Sequence, residues 1–503
     1  MGVDNCLPAG AANEDTTDMN RTSLANDIWR ACDIMRRDDG TTGSLEYMEQ
    51  LSWLLFLKVF EAIEDRLEVE AQLDTPPRVY QRIVGGDYRW SVWAHRDFPA
   101  DKLVSFINDE LFPFLRGLSG DPERRTIAGI FADIPGNRMK SPYNLRDVIA
   151  IVDEIDFQNQ DDIYIVSHIY EDLLRRMGSE SGISGEFYTP RPLVRFMVER
   201  LDPRIGETVY DPACGSAGFL VESYLHMQQS RELTSEDMET LQRHTFYGKE
   251  KKPLPCLLGR MNMILHGVST PNILRTNTLE EDVRQIPADQ RRDVILTNPP
   301  FGGKENRQVQ RNFPVQGQAT ELLFMQHIMR SLKPGGRCAM VVPEGILFRG
   351  DAFADVKRDL IEGYDVRAIV SLPGGVFQPY SGVKTNLLFF ERGRPTREVW
   401  YYEVQPPPGK RFTKGNPIAD ADLDEARRLW DQRPTTERSW TVPAAEIVAR
   451  GYDMTAKNPN RPADVSQLSP EELIASALDK ERQITALLEE MQVLLAGGRN
   501  GGE

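Results

Sequence analysis

Apolar side chains recur at helical spacing near the start of the chain. Leu24, Ile28, Cys32 and Met35 follow the cap candidates Thr22 and Ser23, and Leu45, Met48, Leu51, Leu55, Val59 and Ile63 mark a second helix. That second helix also carries Trp53, Leu54, Phe56, Leu57 and Phe60 on its remaining faces. A helix apolar nearly all round belongs inside a packed domain, and we place a helical domain at residues 21–165. Residues 1–20, rich in Asn, Asp, Gly and Thr without periodicity, read as a mobile tail. From Gly185 onward the texture changes to short β-rich segments at 208–210, 245–247, 294–296, 338–342, 368–370 and 385–390, separated by helical stretches. This alternation predicts an α/β fold over residues 166–420, a mostly parallel sheet wrapped by helices. Ligands of such folds bind beyond the carboxyl ends of the strands. Residues 421–503 read as a tail, polar and Pro-punctuated until the amphipathic stripe Leu473, Ala477, Ile484, Leu487, Leu488, Met491 and Leu495. That stripe either docks on the chain's own helical domain or seeks a partner.

Charge and composition narrow the function. The 503 residues carry 60 basic and 76 acidic side chains, net −16, so binding to nucleic acid needs a local basic patch or a basic partner. Five cysteines without a CxxC pair and six histidines without an i, i+4 pair argue against a disulfide framework and against a metal site. The densest apolar run, at 53–57, is far short of the roughly 20 residues of a membrane span, and no basic-then-apolar leader opens the chain. A cytoplasmic protein without membrane contact is expected. Neither a G-x-x-x-x-G-K-[ST] phosphate loop nor the G-x-G-x-x-G dinucleotide fingerprint occurs.

Three short stretches carry candidate chemistry. Asn298-Pro299-Pro300-Phe301 follows the apolar run 294–296, on a loop leaving a strand. The bland reading is a rigid turn with a capping Asn. The chemical reading is that two prolines fix the backbone, while the Asn298 amide oxygen and the Pro299 carbonyl accept both hydrogens of an exocyclic amine. That frees the nitrogen lone pair, with Phe301 stacked on the ring of an extruded base. The stretch Asp211-Pro212-Ala213-Cys214-Gly215-Ser216-Ala217-Gly218 joins a strand to a helix starting near Gly218, and its small residues permit close backbone approach to a ligand. An ordinary strand-to-helix turn is the alternative. Glu250 ends the strand at 245–248, where a carboxylate either holds ribose hydroxyls or is simply solvated between Lys249 and Lys251.

The order of these motifs resembles the amino group of S-adenosylmethionine-dependent DNA methyltransferases. The stretches GEFYTPRPLV, DPACGSAGFL, GRMNMILHG, LTNPPFGG and VVPEGILF resemble the modification subunit of type I restriction-modification systems, with similarity from about Ser23 to the C-terminal helix. The resemblance implies a Rossmann-like methyltransferase domain with a helical N-terminal domain and a helical C-terminal tail. It implies Asn298, Pro299, Pro300 and Phe301 as the catalytic residues for methylation of adenine N6 in double-stranded DNA. S-adenosylmethionine would be held by Glu186, Phe187, Tyr188, Thr189, Pro190, Arg191, Asp211, Gly215, Ser216, Ala217 and Gly218, with Glu250 at the ribose and Asn277 near the adenine, where the family often has Asp. The partner implied is a separate specificity subunit that reads the sequence, with two copies of this chain on it, and a further restriction and translocation subunit for cleavage. The interval from Gly218 to Glu250 exceeds a bare βαβ unit and predicts a longer helix or an inserted turn at 225–243.

Rival readings remain. Pro255-Cys256 is similar to the nucleophilic pair of cytosine-C5 methyltransferases, but Leu257-Leu258 beside it favours a buried core thiol. Lys304, Arg307 and Arg311 are either a solvated loop or contacts to DNA phosphates near the extruded base. An amino methyltransferase acting on RNA or protein glutamine, or a catalytically silent assembly subunit, would carry the same loop.

Overall fold

Helical packing and sheet packing meet on one shared helix. The computed structural model describes residues 26–155, 189–378, 381–407 and 409–460. The expectations for the tail at 1–20, for Glu186, Phe187 and Tyr188, and for the stripe at 473–495 lie outside these residues. The N-terminal region opens with α1 (residues 26–35) and α2 (Ser44–Leu73), followed by α3 (Pro122–Asp133) and α4 (Pro142–Asp153). Helix α2 buries Trp53, Leu54, Leu55, Phe56 and Val59 completely, as the all-round apolar pattern requires. Trp53 meets Phe112 edge-on at 5.3 Å, and Phe56 packs near Phe131. Asp121 and Ser141 cap α3 and α4 by accepting from the Arg124 and Asn144 amides.

The second region is built on nine strands: β1 (Val209–Asp211), β2 (Phe246–Glu250), β3 (Asn272–Arg275), β4 (Arg292–Thr297), β5 (Leu332–Pro343), β6 (Tyr364–Ser371), β7 (Thr385–Arg392), β8 (Glu398–Glu403) and β9 (Ser439–Pro443). They lie in the order β3-β2-β1-β4-β5-β7-β6-β8-β9. Strands β3, β2, β1, β4 and β5 run parallel, β7 is antiparallel to β5 and β6, and β9 is antiparallel to β8. Alternate side chains feed two cores. Val294 and Leu296 face one with Ala339 and Val341, while Ile295 faces the other with Met340 and Val342. Burial on both faces is what a parallel sheet demands. Its order reverses between β1 and β4, the switch point where ligands of open α/β sheets bind.

Helix α5 (Arg191–Leu201) leads into β1, and the crossovers include α6 (Gly218–Gln229), α7 (Ser235–Arg243), α8 (Pro253–Leu265) and α9 (Thr320–Ser331). Helix α7, opened by a reciprocal Thr234/Asp237 cap, is the insertion expected between Gly218 and Glu250. Helix α8 has two apolar faces. Cys256 and Met263 join the sheet core, whereas Leu257, Leu258, Met261, Ile264 and Leu265 join the N-terminal core. Burial pushes the Cys256 thiol up to about 11, so it is a core residue and not a nucleophile.

The expected boundary at residue 420 needs correction. Strand β9 extends the sheet along β8, with Trp400 opposite Thr441, and helix α10 (Asp424–Leu429) packs against α5. Arg427 of α10 pairs with Glu199 at 2.7 Å, and Ala426, Leu429 and Trp430 lie in the sheet core. Residues 421–460 therefore belong to the sheet body. Their polar, Pro-punctuated texture hides this, because the apolar contacts are single residues scattered among charges.

Candidate active site

The carboxyl ends of β1, β2 and β4 converge, and each contributes one functional loop. Asp211 closes β1. Its buried carboxylate accepts from the Thr297 hydroxyl at 2.6 Å and from the Ala213 amide at 3.0 Å, which ties the end of β4 to the loop of β1. Burial pushes its carboxyl up to about 7, against the pull of those two donors. The loop then turns through Gly215 (φ +52°) and Ala217 (φ +63°), left-handed conformations that let α6 start abruptly at Gly218.

Neighbouring elements hold this loop in place. One Glu250 carboxylate oxygen accepts from the Gly215 amide at 3.0 Å and the other from the Lys252 amide at 2.8 Å, while burial holds the carboxyl above its ordinary range. The Asn262 side-chain amide on α8 donates to the Ser216 carbonyl at 2.8 Å. Gly259, one turn earlier on α8, lies so close that an added Cβ would sit 2.9 Å from the Gly215 carbonyl oxygen. At Gly248 on β2 a Cβ would sit 2.9 Å from the Cys214 sulfur. These three supports went unassigned in the sequence reading. Two glycines and an Asn flanking a Gly-rich loop, on the elements that must cross it, were the available signal. Arg191 takes a similar role. Its guanidinium is buried against the Gly218 carbonyl (3.4 Å) and Glu222 (3.9 Å), so it secures the start of α6.

A cavity of about 260 Å³ lies in front of the loop, lined among others by Pro212, Ala213, Glu250, Asn277, Thr278 and Pro300. Asn277 lines it with its side chain already engaged, accepting from the Leu279 amide and donating to Glu280. The Thr278 hydroxyl donates to the Pro212 carbonyl at 2.6 Å, joining this wall to the loop of β1. The arrangement suits a nucleoside: a buried carboxylate at the end of β2, a small-residue loop beside it, and an apolar Pro300 wall.

Asn298 stands where β4 ends. Its side-chain nitrogen donates to the Thr189 hydroxyl oxygen at 3.0 Å. Its side-chain oxygen is buried and has no hydrogen-bond partner among the described residues. Pro299 is buried, and Phe301 is half-buried and meets Phe377 edge-on, with ring centroids 6.4 Å apart. Pro190 is buried at the cap of α5, which places Thr189 immediately before that helix.

The three candidate DNA-contacting cations, Lys304, Arg307 and Arg311, lie on one excursion after the catalytic loop. Residues 303–320 form a closed excursion, with the Thr320 amide donating to the Gly303 carbonyl and Lys304 bridged to Ala319. All three are exposed, and Lys304 also lines the cavity. Among the described residues no group of three or more His, Cys, Asp or Glu is placed to hold a metal ion, and no helix is long and apolar enough to cross a membrane.

Two family models match the chain, N-6 DNA Methylase over residues 160–467 and the HsdM N-terminal domain over residues 24–152. The chain is 39% identical over 498 residues to the methylase subunit of the type I restriction enzyme EcoEI of Escherichia coli, covering 96% of this chain and 99% of that one. Among solved structures, it resembles a modification subunit attributed to a type I restriction enzyme of Vibrio vulnificus YJ016, with a TM-score of 0.80 and 39% identity over 88% of this chain and 97% of that one. It also resembles a chain from a type I restriction-modification system, with a TM-score of 0.73 and 54% identity over 96% and 99%.

Proposed function

Because this chain belongs to the N-6 DNA methylase family, and within it to the methylase subunits of type I restriction enzymes, we propose that it methylates adenine N6 in DNA with S-adenosylmethionine. The observation that carries the reading is the Asn298 amide, anchored through its nitrogen, with a buried oxygen that has no partner among the described residues, two residues before Pro300 of the cavity wall. A buried acceptor without a donor costs about 1–3 kcal/mol, and a substrate amine relieves that cost on arrival. Asn298 Oδ1 and the Pro299 carbonyl hold the two N6 hydrogens, so the nitrogen lone pair leaves conjugation with the purine. Phe301, braced by Phe377, stacks on the extruded ring.

S-adenosylmethionine supplies the activated methyl group when bound. Pro212 and Ala213 of the loop at 211–218 line the cavity with Glu250, Asn277 and Thr278, and these residues would hold the cofactor, Glu250 at the ribose and Asn277 near the adenine. Glu186, Phe187 and Tyr188 complete the assignment by resemblance. The reaction runs with other subunits and DNA. The acidic balance of this chain favours a division of labour in which a specificity subunit, carrying two copies of this chain, supplies sequence recognition and much of the phosphate contact. A separate restriction and translocation subunit would supply cleavage.

Asn298→Ala tests the reading. It should abolish methyl transfer to DNA while leaving cofactor affinity by calorimetry and the melting temperature nearly unchanged. Wild-type turnover in that variant would remove the assignment.

A further inference from the structure

A primary amide presents a donor on one side and an acceptor on the other, and only one of its two orientations suits an incoming amine. With the oxygen toward the amine, Asn298 Nδ2 must be received by something behind it. The structure supplies one receiver for that nitrogen, the Thr189 hydroxyl oxygen at 3.0 Å, 109 residues away in sequence. Thr189 is itself placed by chain geometry, because the next residue, Pro190, is buried as the cap of α5 and fixes the backbone there. We propose that Thr189 is a positioning residue for methyl transfer, holding the Asn298 amide with its oxygen toward the substrate amine.

The contact acts in two ways. It removes rotation about the last torsion of Asn298, a torsion that is otherwise broad and nearly two-fold. It also strengthens the acceptor, because an amide that donates through nitrogen polarises its carbonyl in a hydrogen-bond chain. Resemblance alone places Thr189 among the residues that hold the cofactor. The geometry instead gives its hydroxyl to the catalytic loop, so the two assignments predict different kinetics.

This inference rests on the adenine methyltransferase reading, and the test separates them. The full chain, in complex with its partner subunits, is assayed on DNA as wild type, Thr189→Val, Thr189→Ser and Asn298→Ala. Thr189→Val keeps the shape and removes the hydroxyl. It should lower turnover at saturating cofactor on the order of 10- to 100-fold, the scale of a misaligned reacting group, with cofactor affinity by calorimetry unchanged. Thr189→Ser should restore most of that loss. Weaker cofactor binding with normal turnover at saturation would overturn the proposal in favour of direct cofactor contact. Equal turnover in Thr189→Val and wild type would overturn it as well, leaving the Asn298 assignment intact if Asn298→Ala is inactive. Should Thr189→Val melt early, Thr189→Ala with the same readouts replaces it.

Discussion

The loops leaving β1 and β4 are neighbours built on opposite plans. The loop after β1 is held at several points: Glu250 takes the Gly215 amide, Asn262 takes the Ser216 carbonyl, and Gly259 leaves space for α8 to lie against it. Its contribution to function is shape. In the loop after β4 the Asn298 side chain is held through Nδ2, and its Oδ1 has no hydrogen-bond partner among the described residues. Its contribution is a single acceptor. Substitutions around the first loop should therefore act on binding and stability, and those at the second on rate with little change in either.

The strongest break in this contrast lies at Asp211, which joins the two loops through Thr297. Its carboxyl stands at about 7, above its ordinary value of 3.8, because it is buried. The folded protein thus binds this proton more tightly than the unfolded chain. Its contribution to stability is fully present below about pH 4, declines as pH rises, and is gone above about pH 7. Asp211→Asn keeps an accepting oxygen for Thr297 without a titrating charge. It should raise the unfolding free energy at pH 8 by an amount bounded at roughly 4 kcal/mol, and should abolish the loss of stability between pH 4 and 7. Denaturant melts of both proteins across that range check it; parallel pH profiles would mean Asp211 stays ionised throughout.

Next in size is Gly259→Ala. The added methyl would sit 2.9 Å from the backbone oxygen of Gly215, and neither backbone can yield cheaply. Overpacking of this kind costs about 1–3 kcal/mol. The variant should melt earlier and bind S-adenosylmethionine at least tenfold more weakly by calorimetry, yet turn over near the wild-type rate at saturating cofactor. If turnover falls while affinity holds, the division between a shape loop and an acceptor loop fails.

The same contrast explains what the sequence made legible. Asn298-Pro299-Pro300-Phe301 could be read because its chemistry is local: an unusual run of four residues after an apolar strand. Strand β4 and five others were visible as apolar runs, whereas β3 buries only Ile273 well and offers no run at all. Strand β9 was lost among polar neighbours although Trp440 and Val442 are buried. Gly259 and Asn262, two supports of the first loop, stand in the family-like stretch GRMNMILHG, yet their role was hidden for a different reason. Gly259 and Asn262 sit in the interior of α8, where they pass for ordinary helix residues, and their meaning appears only when α8 is laid across the loop. Thr189 was recognised as important, but its partner 109 residues away could not be read from spacing.

The smallest expected effect concerns the excursion after the acceptor loop, where Lys304, Arg307 and Arg311 are all exposed and Lys304 alone of the three lines the cavity. Each cation that meets a DNA phosphate contributes a slope of about −0.9 to the dependence of log affinity on log salt. Replacing Arg307 and Arg311 with Gln should therefore flatten that slope by roughly two, with a modest loss of affinity at fixed salt and no change in cofactor binding. Lys304→Gln should leave the slope where it was and shift cofactor affinity slightly, because Lys304 lines the cavity. The two outcomes are independent, so a salt titration of DNA binding and a calorimetric cofactor titration on both variants assign the cations separately. A slope that drops with Lys304 and not with the arginines would assign the phosphate contact to Lys304, at the cavity, and remove it from Arg307 and Arg311.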